Sequence, residues 1–147
     1  MNLTTHRRRC LLGAAFVLLL VTCGGDAIAT ATRSQTNVTG TWDAEFSGIV
    51  QGAGTSQTDE FVIEVRQDGS NVTGTLLVRG LDMPLILSGE VRGTTLTYTV
   101  KDSLGPTCEV SVKAETTIDA TTGRMRGTQT QSTCEGTAVG QITAVRR

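Results

Sequence analysis

From Trp42 onward the chain alternates apolar and polar side chains with a period of two, the spacing of a strand with one face buried and one in water. Trp42, Ala44 and Phe46 alternate with Asp43, Glu45 and Ser47. Phe61, Ile63 and Val65 alternate with Glu60, Glu64 and Arg66. The same rhythm returns in Val72–Arg79 (inward Val72, Gly74, Leu76, Val78) and in Met83–Arg92 (Leu85, Leu87, Gly89, Val91). It continues through Leu96, Tyr98 and Val100, then through Cys108, Val110, Val112 and Ala114, and closes with Ala138, Gly140, Ile142 and Ala144. A segment from Met125 to Ser132 keeps strand character but lacks the pattern, since Thr128-Gln129-Thr130-Gln131 offers no apolar side to a core. Helical periodicity is absent. The count is eight short strands.

Turn chemistry separates the strands. Asp68-Gly69 favours the positive backbone angles of a tight hairpin, Arg92-Gly93 and Asp119–Gly123 read the same way, and Ser103-Leu104-Gly105-Pro106 breaks the ladder. Residues 49–58, with Gly52, Ala53 and Gly54, form the longest candidate loop. Glycines at 40, 74, 89, 127 and 140 fall inside strands, where they weaken a flat sheet but permit tight coiling. Short strands with regular turns predict an all-β fold, an eight-stranded antiparallel up-and-down barrel over residues 37–147, and closure removes its exposed edges. Asn-Val-Thr-Gly-Thr occurs twice, from Asn37 and from Asn71, and reads as two similar hairpin ends. Both copies are also glycosylation sequons, relevant only in a eukaryotic host.

The first 29 residues have a different character. Arg7-Arg8-Arg9 is a basic head and Leu11–Val21 an apolar run too short for an ordinary membrane-spanning helix, which together read as a signal peptide. Ala27-Ile28-Ala29 fits ordinary cleavage before Thr30, giving a signal over residues 1–29. Leu20-Val21-Thr22-Cys23 resembles a bacterial lipoprotein box, which would end the signal at residue 22 and make Cys23 the lipidated first residue. Residues 30–36 then form a flexible tether. The expected destination is the bacterial periplasm or a lipid-anchored place on the membrane, with secretion the alternative.

Export changes the reading of the cysteines. Cys10 leaves with the signal and Cys23 is lipidated or lost, so Cys108 and Cys134 are expected to pair in an oxidising compartment. Each lies thirteen residues from Thr121, so a hairpin centred there sets them opposite one another and pairs the sixth strand with the seventh.

Composition narrows the chemistry further. The only histidine, His6, lies in the signal, which removes the commonest general base and metal ligand. A Cys108–Cys134 bridge leaves no thiol nucleophile or thiolate for zinc. Asp59 and Glu60 are adjacent in a strand and point to opposite faces. No enzyme, metal or cofactor is expected. From Thr30 onward ten Lys and Arg face thirteen Asp and Glu, with no basic patch, which disfavours nucleic acid.

Gly40-Thr41-Trp42 at the first strand, with Arg146 or Arg147 ending the last, resembles the signature of the calycin barrels, the lipocalin and avidin group. The resemblance implies that Trp42 closes one end of the barrel and that a terminal arginine packs across its ring. It assigns structural roles to Gly40, Trp42, Arg146 and Arg147 and transfers no ligand residue. The chain stops at its last strand, where lipocalins add a helix, and has one tryptophan, where avidins use several. Small inward residues (Ala44, Gly74, Gly89, Ala114, Gly140) suggest room inside for a small apolar ligand. The alternative is a filled barrel that meets an envelope partner through its loops and outer wall, as an interaction or inhibitor protein.

Overall fold

A computed structural model describes residues 35–147; the signal segment, both cleavage sites and Cys23 lie outside the described residues. Eight strands follow in order: β1 (Gly40–Val50), β2 (Ser56–Asp68), β3 (Asn71–Val78), β4 (Leu85–Arg92), β5 (Thr95–Ser103), β6 (Glu109–Asp119), β7 (Arg124–Thr133) and β8 (Gly136–Arg146). Each pairs antiparallel with the next, and β8 returns to β1 to close the barrel. The polar segment is a full member of the wall, because β7 pairs with β6 along Ser111–Asp119 and with β8 along Gly136–Val145. The longest predicted loop is shorter than its composition suggests: β1 runs on to Val50 and β2 begins at Ser56.

The two-residue period maps directly onto burial. Trp42, Ala44 and Phe46 are buried while Asp43, Glu45 and Ser47 are exposed, and the alternation recurs along β2, β5 and β6. The inward set forms one continuous apolar core.

Glycines inside the strands do not make room. A Cβ on Gly74 would lie 2.0 Å from the Glu64 carbonyl oxygen, and one on Gly127 would lie 2.0 Å from that of Glu115. These are points where the coiled wall brings neighbouring backbones together, so the missing side chain serves curvature. The interior is largely filled by its own side chains.

Odd hairpins turn at one end and even ones at the other, so the two ends can differ. Residues 35–39 run across the end at which β1 begins. Gln35 Nε2 donates to the Val91 carbonyl at 3.0 Å and Thr36 N to that of Gly93 at 2.9 Å. Val38 N donates to Gln67 Oε1 at 2.8 Å. Gln35 and Thr36 thus lie hydrogen-bonded along the β4–β5 turn. The two Asn-Val-Thr-Gly-Thr copies flank β2 in matching register, with Gly40 and Gly74 both opposite Val65 and Thr41 and Thr75 both opposite Glu64. The repeat is two strands entering from the same end.

Cys108 and Cys134 are joined, with Cα atoms 5.0 Å apart. Their placement differs in detail from a symmetric hairpin. The β6–β7 register pairs Ser111 with Ser132 and Asp119 with Arg124, a centre between Thr121 and Thr122 that would set Cys108 against Glu135. Both cysteines lie just beyond the strands, where backbone free of the ladder lets them meet.

Candidate binding site at the open end

One end of the barrel is sealed. Trp42 is fully buried, and its indole N–H donates to the Val38 carbonyl at 3.0 Å, tying the ring to the crossing segment. The Arg146 guanidinium lies 4.6 Å from the Trp42 ring centroid and donates to the Asn37 carbonyl. Cation–π attraction and cover by the arginine stem act together there. Arg147 takes a different role, holding the exposed Asp43 carboxylate through hydrogen bonds of 2.6–3.0 Å. That guanidinium keeps the Asp43 carboxyl below its ordinary range, first through hydrogen bonding and then through charge. Gly40 takes a positive φ of 140° where the crossing segment becomes strand, a conformation glycine adopts freely.

The opposite end is open and holds a cavity of about 140 Å³. Phe61, Leu76, Leu85, Val110 and Val112 form its inner wall, Leu81 and Leu104 lean in from the rim loops, and Gln57, Asp59, Gln131 and Thr133 supply polar groups. Each rim loop joins strands whose ends lie at this mouth: β3 to β4 for Leu81, β5 to β6 for Leu104. The Cys108–Cys134 bridge ties the β5–β6 loop to the β7–β8 turn beside it. Gln57 Nε2 donates to Asp59 Oδ2 at 2.7 Å and to Gln131 Oε1 at 3.3 Å, a short polar chain from β2 to β7.

Gln129, at the inner end of this lining, is the feature the amino-acid pattern hides. It is 1% exposed. The Tyr98 hydroxyl donates to its Oε1 at 2.7 Å. Ala114 stands between them in register, opposite Tyr98 on β5 and Gln129 on β7, and its short side chain leaves space for the two to meet above it. Burial pushes the Tyr98 phenol far up, so it stays a protonated donor. Gln129 Nε2 has no hydrogen-bond partner, and among the described residues it is the one buried side-chain polar atom in that state. Larger hollows exist: grooves on the outer wall, such as the one over Gly89, Tyr98 and Ala114, and a hollow of about 360 Å³ at the Trp42 end, between the crossing segment and the β6–β7 turn.

The structure therefore places Gly40, Trp42 and Arg146 together at the sealed end, Arg147 on the neighbouring outer wall, and Cys108 with Cys134 beside the open mouth. The sequence showed Asp59 only as one of two adjacent carboxylates, placed Gln57 in the candidate loop, and showed Gln129 and Gln131 in a strand without an apolar face; none of the four was assigned to a site. Among the described residues no group of three or more His, Cys, Asp or Glu side chains is placed to hold a metal ion.

The architecture is an all-β barrel, eight antiparallel strands closed on themselves with Trp42 and Arg146 at one end. No protein-family model matches the chain, and no curated protein does. Among solved structures it is similar to rhizavidin, in a crystal structure of its complex with biotin. The two are 16% identical over 71% of this chain and 99% of that one, with a TM-score of 0.40.

Proposed function

We propose that this protein is an exported, non-enzymatic binding module that holds a small, largely apolar molecule in the open end of its barrel. The observation that carries the reading is the cavity of about 140 Å³ opposite the Trp42 plug, with an apolar wall, polar groups at the rim and Gln129 at its inner end. A few polar groups set in an apolar lining are the usual composition of a small-molecule site. The volume limits the enclosed part of the ligand, since an apolar protein cavity of about 150 Å³ holds benzene. Export is supported by the basic head and apolar run of residues 7–21, with delivery to the periplasm or, through Cys23, to a membrane surface.

Native mass spectrometry of the protein purified from its own host, before and after denaturation, tests the proposal. A small molecule released only on denaturation supports a binding barrel. An empty protein that also takes up no small apolar probe refutes it and moves the function to the outer wall.

A further inference from the structure

Resting on that binding reading, we infer that the ligand is a neutral carbonyl compound, an amide, ketone or ester, whose oxygen accepts a hydrogen bond from Gln129 Nε2, and that carboxylates are rejected. Three observations carry the inference. The first is that donor: a buried amide N–H without a partner is costly to maintain, and Gln129 lines the cavity.

The second is orientation. The Tyr98 hydroxyl, kept protonated by burial, donates to Gln129 Oε1 and so commits the amide nitrogen to the unpaired position. Turning the amide over would set an N–H on the phenol oxygen and strand two groups, the phenol hydrogen and the amide oxygen, instead of one. Tyr98 is thus a positioning residue, and the group offered to a ligand is a donor.

The third is charge. Among the described residues that line the cavity, Asp59 alone is ionisable and it is an acid. A carboxylate entering the mouth meets that negative charge, finds no cation, and must give up its water for one neutral donor. A carbonyl oxygen of the same shape loses far less on desolvation and fully uses the hydrogen bond.

The test titrates the purified protein with toluene, hexanamide and hexanoate by calorimetry, alongside a Tyr98→Phe, Gln129→Leu double variant. The double variant removes both polar partners together, which keeps the barrel folded; its melting curve checks this. Hexanamide is expected to bind about tenfold or more tightly than hexanoate. In the double variant hexanamide should lose about that factor while toluene keeps its affinity. Equal or tighter binding of hexanoate overturns the inference. So does undiminished hexanamide binding in a folded double variant; in both cases retained toluene binding leaves the binding module standing. Failure of all three probes on the unaltered protein overturns the ligand class and the binding module together.

Discussion

Trp42→Ala is the substitution with the largest calculable effect. The indole is fully buried at the sealed end, and truncating a buried Trp costs about 3–5 kcal/mol in lost transfer energy and cavity formation. Its N–H bond to the Val38 carbonyl disappears as well, leaving a buried acceptor unpaired at a cost of roughly 1 kcal/mol. The Arg146 contact above the ring is worth about 0.5–1 kcal/mol at a partly solvated site. The expected total is about 4.5–7 kcal/mol, a large share of the 5–15 kcal/mol that holds a typical domain together. Urea denaturation followed by far-ultraviolet circular dichroism reads it. With a slope of about 1–3 kcal/mol per molar urea, a loss of about 5 kcal/mol moves the midpoint down by roughly 1.7–5 M, or leaves the variant unfolded in buffer. Trp42→Phe keeps the ring stack but not the donor, so it should fall between the variant and the parent. A loss below about 1 kcal/mol in Trp42→Ala would show that this end is not held by the plug.

Replacing both Cys108 and Cys134 by serine should cost about 2–5 kcal/mol, since the 26-residue separation alone predicts roughly 3–4 kcal/mol of loop-closure stabilisation; an unchanged melting temperature under reductant would argue against it. Gly74→Ala, which ordinarily stabilises a chain through its unfolded state, should here destabilise by about 1–3 kcal/mol or more, because the new Cβ meets the Glu64 carbonyl oxygen. A neutral result in a thermal melt would mean that the wall does not coil tightly there. The Asp43 carboxyl should titrate below its ordinary value of 3.8 and return toward it in Arg147→Ala, as read by carbon NMR. Its depressed folded value means a stability contribution present above the unfolded pKa and lost as pH falls through the folded one; a midpoint at or above 3.8 would exclude the Arg147 contact in solution. Tyr98 is the only tyrosine, and its phenolate absorbance should stay absent through pH 10, its ordinary value, until alkali unfolds the barrel. The raised folded value makes this stability present below the unfolded pKa and lost as pH rises past it, and a normal titration near 10 would mean that the ring is open to water.

How far the chain can be read depends on whether a feature is local. Alternation has a period of two residues, so the apolar faces of β1, β2, β5 and β6 need nothing beyond their own side chains to declare themselves, and Asp68-Gly69 marks a turn by its own backbone preference. Beyond about one hairpin that locality fails. The cysteine spacing pointed to the β6–β7 pairing and missed its centre by half a residue, because a bridge outside the ladder does not report register.

Eight antiparallel strands closing as a barrel followed from alternation and turn chemistry, since each strand buries one face and closure leaves no edge. Three matters depended on tertiary structure. The in-strand glycines could be read as serving curvature or as space for a ligand, and the neighbouring carbonyls decided for curvature. Residues 35–39 have no strand pattern, yet they cross one end through hydrogen bonds to Gln67, Val91 and Gly93, partners as many as 57 positions away. Gln129 sits in a run with no apolar face, and its buried position arises because Tyr98, 31 residues earlier, meets it across Ala114. A polar side chain can be stable in a core only through a partner brought to it by the fold, and a pattern that sorts residues by their own polarity does not record that partner.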